Sequence, residues 1–250
     1  MRAAARIVAE ADGRGGTRLA VLHGESPLLP RRTGARSGAG VTVHLVGGAA
    51  GPLRGDHLHL TLVVGPGATL TVRSVAAQLA LRGRPHLPPS RYEIDATVAG
   101  SGNLRWLPEP LIAAAGCDHR TVARIDVAEG GTLLWRDDVV CGRHAEPSGD
   151  VRTETTIRYA GRTLYRHDLA LGPHSPGWDG AAVLGDARAV GTVITVPALA
   201  RHEAADRVAI MPLAGPGTLV QAVGTDIRAV QAALDPLCAD PAPAAEPIAA

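Results

Sequence analysis

The chain has 250 residues with a formal net charge of +1, and 46% of its residues are hydrophobic. This length suits one large domain or two small ones. The near-neutral charge argues against a nucleic-acid partner or a polybasic membrane patch, and no apolar run approaches the ~20 residues of a membrane span. Three widely spaced cysteines without a CxxC pair exclude a structural zinc site of the usual spacing and predict a reduced, cytoplasmic, soluble protein.

Alternation of apolar and polar residues predicts β-strands along much of the chain. Between His57 and Val63 the leucines share one face, and His57, His59 and Thr61 share the other. The stretches 91–98, 122–127 and 155–159 alternate in a similar way.

Six segments share a pattern in which a β-compatible run reaches a glycine-containing turn and an apolar strand then resumes. They are residues 12–21, 64–72, 98–107, 127–136, 159–169 and 213–223. Glycine supplies the positive φ of tight turns, so each segment predicts a β-hairpin. The uneven spacing argues against a propeller or a solenoid with a strict period.

The segment 103–119, NLRWLPEPLIAAAGCDH, is the least generic part of the chain. Pro108 and Pro110 lack backbone donors, which excludes this piece from a central strand or a helix interior. We therefore expect residues 111–115 to form an irregular, buried segment that crosses or covers the core.

Helix signals are few. Residues 74–82 predict a short helix with Ser74 as N-cap, and residues 226–238 predict a second one with Thr225 as cap and Pro236 ending or kinking it. The Pro/Ala-rich tail 240–250 predicts disorder. The expected fold is mainly β, a single large domain over residues 1–239 with many strands in packed or wrapped sheets and about two short helices.

Three short-spaced pairs could ligate a metal: His57 with His59, Cys117 with His119, and Cys141 with His144. Residues i and i+2 of a strand point the same way, and imidazole and thiolate suit Ni, Zn or Cu. One functional hypothesis is therefore a metal-dependent hydrolase whose site assembles from these pairs. The plainer interpretation is that such histidines are simply solvated. No nucleophile elbow, P-loop or Rossmann motif is present.

Adjacent carboxylates follow an apolar strand at Asp137 and Asp138. Neighbouring residues of a strand face opposite sides, so we expect a turn or ion-pair role and no shared catalytic dyad.

Several further motifs occur in a specific order between residues 40 and 170. They are Gly55-Asp56-His57-Leu58-His59-Leu60, Val64-Gly65-Pro66-Gly67-Ala68, Trp106-Leu107-Pro108-Glu109, Glu129-Gly130-Gly131-Thr132-Leu133-Leu134, Gly142-Arg143 and Arg162-Thr163-Leu164-Tyr165-Arg166. Together they resemble the UreD (UreH) family of urease accessory proteins. The sequence departs from that family at residues 71–81, which lack its usual Lys and Tyr, and at Glu109-Pro110, where Gln-Glu is common.

The resemblance implies a predominantly β fold with two short helices and a urease maturation chaperone without enzymatic activity. It implies binding to apo-urease and to the accessory proteins UreF and UreG, the second a GTPase, and help in delivering Ni(II). No tightly bound cofactor is expected, only Ni(II) in transit. The metal-binding candidates are His57, His59, Cys117 and His119. The candidates for a metal passage or a partner contact are Asp56, Trp106, Glu109, Asp137, Asp138 and Arg143.

Overall fold

The computed structural model of the protein describes residues 1–34, 39–199 and 205–239. The tail prediction for residues 240–250 falls outside these ranges, and the domain boundary at residue 239 stays a prediction. No helix in the described ranges has the length and apolar composition needed to span a bilayer.

The described residues form seventeen strands and one helix. In chain order, β1 to β9 are Arg2–Ala11, Thr17–Gly24, Leu28–Thr33, Val41–Gly47, His57–Val64, Thr69–Ser74, Gln78–Ala80, Ser90–Val98 and Asn103–Leu107. The next strands, β10 to β17, are Leu111–Ala113, Asp118–Val127, Thr132–Cys141, Asp150–Tyr159, Arg162–Leu171, Ala189–Val196, Val208–Pro212 and Thr218–Gly224. The helix α1 spans Ile227–Cys238.

The strands form two sheets that the chain visits alternately. A seven-stranded sheet has the order β14-β13-β11-β8-β5-β1-β2, and its central strands from β1 to β13 run parallel. A ten-stranded sheet has the order β16-β17-β15-β12-β9-β6-β4-β3, with the short strands β7 and β10 attached beside β12. The prediction of a mainly β fold in packed sheets is confirmed, and the arrangement is solenoid-like.

The glycine turns have two different roles. Three of the six predicted hairpins are confirmed, because β1–β2, β13–β14 and β16–β17 pair antiparallel. The prediction is wrong for β5–β6, β8–β9 and β11–β12, where each turn carries the chain from one sheet to the other. A compact turn needs the same residues whether its two arms pair with each other or with neighbouring turns of a coil. The local pattern therefore does not reveal the partner.

The three crossover turns share one geometry. Each is closed by a backbone hydrogen bond between residues three apart: Ala68 N–H to Gly65 O, Gly102 N–H to Ala99 O, and Gly131 N–H to Ala128 O. The third residue of each turn has positive φ, at Gly67, Ser101 and Gly130. Stacking of these turns gives the parallel coil. The uneven spacing in the sequence hides this coil, because the return segments between turns differ in length.

Short apolar side chains from both sheets fill the core, together with one aromatic pair. Trp106 and Trp135 occupy paired positions on β9 and β12, and their rings stack with centroids 5.1 Å apart. Both side chains are buried. Such a pair stabilises by about 1 kcal/mol beyond its buried area.

The segment around the two prolines corrects two expectations. Residues Asn103–Leu107 form β9, which pairs with both β6 and β12, so the exclusion of the whole segment from a central strand is wrong. The missing donors only end this strand, at Leu107 immediately before Pro108. Residues Leu111–Ala113 do not form an irregular segment but the strand β10, which pairs in parallel with both β12 and β7. The prolines interrupt the ladder for only three residues, since Leu111 again carries a free N–H.

The helix predictions are half right. Residues 74–82 are not helical: β6 ends at Ser74, a turn follows, and Gln78–Ala80 forms β7 beside β10. Tertiary pairing has overridden local propensity there. The second helix exists as α1 with Pro236 inside it. Its cap is Asp226, not Thr225, because the Asp226 carboxylate accepts the Ala229 N–H at 3.0 Å.

Candidate functional site

A cavity of about 430 Å³ lies between the two sheets. Five of the six passage or partner candidates line it: Asp56, Trp106, Glu109, Asp137 and Asp138. They come from separate places in the chain and meet because the coil stacks its turns in register.

The seven-stranded sheet contributes one row of side chains to this cavity. The parallel register aligns Leu58 on β5 with Tyr92 on β8, Thr121 on β11 and Thr153 on β13, and all four residues line the cavity. Hydroxyl groups therefore extend across one wall. None of these four residues was a candidate from the sequence, although Leu58 and Tyr92 fall in stretches with the predicted alternation.

Asp137 is the central acidic group of the cavity. Its Oδ2 accepts hydrogen bonds from Trp135 Nε1–H at 2.6 Å and from the Thr155 hydroxyl at 3.4 Å, so it links the two sheets. Burial away from water raises the pKa of Asp137 to about 7, and the nearby Asp138 carboxylate adds to that shift. The donated hydrogen bonds oppose the shift without cancelling it.

Two buried polar atoms on the cavity wall have no hydrogen-bond partner among the described residues: the Tyr92 hydroxyl and Trp106 Nε1. Trp106 lies close enough to Asp137 to lower its pKa, but not in the geometry of a full hydrogen bond. Buried polar groups are normally satisfied by protein or by ordered water. The cavity therefore has the polarity and the volume to hold water.

Both carboxylate oxygens of Asp56 accept hydrogen bonds. Oδ1 accepts from the Met1 ammonium at 2.7 Å, and Oδ2 accepts from the Leu53 N–H at 2.9 Å. This carboxylate holds the β1 and β5 starts together at the cavity.

Asp138 faces away from Asp137, as expected for neighbours on a strand. It pairs with Arg136, which was not a candidate in the sequence analysis, through Oδ2 at 2.8–2.9 Å. Burial raises the pKa of Asp138, although the Arg136 guanidinium opposes this effect. Glu109 is exposed, and its backbone N–H donates to Ser74 Oγ at 2.8 Å.

The two histidines of β5 share the outer face of the seven-stranded sheet, as the alternation predicts. His57 Nε2 lies 2.8 Å from Glu93 Oε2, and His59 Nε2 lies 2.7 Å from Asp95 Oδ2. Each imidazole is thus engaged with a carboxylate of β8, and neither residue lines the cavity.

Cys117 and His119 are buried. His119 bonds through both ring nitrogens, with Ser90 Oγ at 2.8 Å and Thr121 Oγ1 at 3.1 Å, and burial lowers its pKa to about 4. Burial, with a smaller effect from the nearby Asp150 charge, raises the pKa of Cys117 to about 12. Among the described residues no three His, Cys, Asp or Glu side chains gather so that they could hold a metal. The metal-ligand assignments stay predictions.

Arg143 lies apart from the cavity, in the exposed turn after β12. Its guanidinium makes two hydrogen bonds of 2.7 Å to the Glu146 carboxylate. This ion pair, more than any other cause, lowers the pKa of Glu146 to about 2. A partner contact for Arg143 stays a prediction.

Comparison with known proteins identifies the family of the chain. A family model described as UreD urease accessory protein matches residues 1–247. The urease accessory protein UreD 3 of Streptomyces griseus is 44% identical over 243 residues, which cover 94% of this chain and 95% of the relative. Urease accessory protein UreD of Streptomyces coelicolor is 45% identical over 242 residues, 94% of each chain. The protein of that name from Parafrankia sp. is 42% identical over an alignment of 275 positions. This alignment covers 97% of this chain and 92% of the relative.

All three relatives are named as accessory proteins, so the comparisons define a protein that serves another enzyme. The chain belongs to the UreD family of urease accessory proteins, and its role is in urease maturation. The resemblance stated from the sequence motifs is confirmed. The metal-dependent hydrolase hypothesis finds no support in these relatives.

Proposed function

We propose that the protein binds apo-urease together with UreF and UreG, and that Ni(II) on its way to the urease active site passes through the cavity between the two sheets. The observation that carries this proposal is the convergence of Asp56, Trp106, Glu109, Asp137 and Asp138 around one cavity. The nickel ion is cargo and not a resident cofactor.

The chemistry of the lining suits transit better than storage. Its polar groups are carboxylates, hydroxyls and an indole N–H spaced along apolar walls. Scattered oxygen ligands bind a divalent ion more weakly than a closed set of thiolates and imidazoles. A carboxyl group with a pKa of about 7, as at Asp137, is only partly ionised near neutrality, so it attracts the ion without trapping it.

The rim of the cavity carries apolar side chains that an adjoining protein could cover. Met1 and Val75 both line the cavity and are exposed at 50% and 61%. Exposed apolar patches mark protein-protein contacts, and a passage for a metal ion has to continue into the next protein. We assign this rim to UreF.

Replacing Asp137 with Asn tests the passage. Removal of one charge a few ångströms from a cation costs on the order of 1–4 kcal/mol, so we expect about tenfold slower nickel loading of urease. Nickel per urease active site is measured over time after reconstitution with apo-urease, UreF and UreG. The matched control is Asp126→Asn, an exposed carboxylate paired with Arg158 outside the cavity. Equal loading by both variants would contradict the passage.

Replacing Val75 with Glu tests the rim. A charge in an apolar contact is costly, so capture of UreF should fall by about tenfold. The control is Val183→Glu, an exposed valine that does not line the cavity. If both variants capture UreF as the wild-type protein does, the assignment of the rim is wrong.

A further inference from the structure

A second, polar cavity of about 290 Å³ lies on the other side of the ten-stranded sheet, beside the C-terminal half of α1. It shares Pro108, Glu109 and Asp138 with the cavity between the sheets. The two cavities therefore meet where the ladder is interrupted, at Pro108-Glu109-Pro110. The carboxylates of Glu109 and Asp138 lie at this boundary.

Arg136 lines the second cavity beside this boundary, and its side chain is 9% exposed. Its Nε–H and Nη2–H donate to Asp138 Oδ2, at 2.9 and 2.8 Å. Its Nη1–H donates to Asp235 Oδ1 on α1 at 2.6 Å. One guanidinium thus joins the sheet to the helix across the mouth of the second cavity.

Asp138 is not fully compensated by this pair. Its side chain is 1% exposed, yet Oδ1 has no hydrogen-bond partner among the described residues. Oδ1 lies over Gly191 of β15, where an added Cβ would come within 2.6 Å of it. This unpaired acceptor is packed between β15 and α1, and burying such a group without a partner is costly.

We propose that Arg136 is a gate that closes a second opening of the nickel passage. A divalent cation that reaches Asp138 from the cavity between the sheets displaces the guanidinium from that carboxylate. Arg136 then also loses its hold on Asp235, and the last turn of α1 loosens. This inference rests on the proposed passage and adds its exit and the residue that controls it.

The two ends of the ion pair suit these roles. Asp138 is fixed and buried, whereas the Asp235 side chain is 62% exposed and can turn into solvent. Release would free only the exposed side of the last turn, because Arg105 Nη2–H still donates to the Cys238 and Ala239 carbonyls and Val230 and Leu234 remain packed on the sheet.

Hydrogen exchange of the peptide 227–239 in the purified full chain tests the gate, with Ni(II) chloride as the probe. In the wild-type protein we expect Ni(II) to speed exchange of this peptide. In the Asp235→Asn variant this peptide should exchange about twofold to fivefold faster without metal, because a partly exposed ion pair contributes that much. Its exchange should respond little to Ni(II). Asp186→Asn breaks a similar exposed pair with Arg207 away from both cavities and should behave like the wild type.

A second variant tests the same ion pair from its other residue. Arg136→Lys keeps a positive charge beside Asp138, but an ammonium lacks the planar fork that reaches two carboxylates. It should show the same faster exchange as Asp235→Asn. Wild-type exchange that ignores Ni(II), or variants that exchange like the control, would overturn the gate.

The same samples separate the gate from the passage. If Asp137→Asn slows nickel loading of urease while Asp235→Asn and Arg136→Lys leave both loading and exchange unchanged, the passage stands and the gate is wrong. If Asp137→Asn loads nickel normally, the passage itself is wrong, whatever the exchange of α1 shows.

Discussion

Asp137 shows how the fold changes the chemistry of a single residue. The sequence predicted that Asp137 and Asp138 would face opposite sides of a strand, and they do: Asp137 bonds to Trp135 and Thr155 between the sheets, whereas Asp138 pairs with Arg136. The pattern did not predict that burial would raise the pKa of Asp137 to about 7, because that depends on the opposite sheet.

The raised pKa of Asp137 has a consequence for stability. The folded protein holds this proton up to about pH 7, whereas the unfolded chain releases it near pH 4. The folded state therefore binds more protons between these values, and this residue's contribution to stability falls as pH rises through the window.

Asp137→Asn should remove that dependence, because Asn mimics the protonated carboxyl. From pH 5 to pH 8 the stability of the variant relative to wild type should rise by on the order of 2 kcal/mol. Urea unfolding at several pH values measures it. A difference between the two proteins that stays constant with pH would contradict the burial of an ionisable Asp137.

The metal-ligand candidates show the limit of short-spaced pairs. The alternation correctly placed His57 and His59 on one face, but the in-register strand β8 supplies carboxylates that engage both imidazoles. Cys117 and His119 are in the interior instead of a solvent-facing site. Spacing along the chain cannot reveal what a neighbouring strand offers.

At the scale of elements, the crossover turns decide how the chain enters each sheet. Their residues were recognised from sequence, but a turn of three or four residues carries no information on which sheet its second arm joins. The shared positive φ at Gly67, Ser101 and Gly130 is the structural feature that the pattern detected.

Gly130→Ala tests the crossover turn between β11 and β12. An added Cβ finds space, since the nearest atom is 3.9 Å away, but φ is +77° and disfavours an L side chain. We expect a loss of about 1 kcal/mol in unfolding free energy. Glu129→Ala, at the preceding exposed position, should have little effect. Equal stability of the two variants would show that this turn does not require the left-handed conformation.

The docking of α1 depends on a glycine of β15. A Cβ on Gly191 would come within 2.4 Å of Val230 Cγ1 and 2.6 Å of Leu234 Cδ1. Gly191→Ala should therefore push the helix outward and lower stability by about 1–3 kcal/mol. Thr192→Ala, on the opposite face of the strand, should cost less in the same denaturation experiment. A Gly191→Ala protein as stable as wild type would contradict the close packing.

At the scale of the whole molecule, composition and alternation were enough to predict a mainly β protein, and ordered motifs were enough for the family. The parallel coil was not predictable, because its register joins strands about 30 residues apart through pairing that leaves no local pattern. The cavity follows from that register. Its acidic residues could be proposed one at a time, but their meeting in one cavity required the fold.

The central claim is that nickel travels between the sheets, and blocking that space tests it without changing charge. Thr153→Trp would place a large ring in the cavity, whereas Thr156→Trp places the same ring on the other face of β13. Both variants should still capture UreF and apo-urease. We predict that nickel per urease active site falls severalfold with Thr153→Trp and stays at the wild-type value with Thr156→Trp. Full loading by an assembled Thr153→Trp complex would contradict the account.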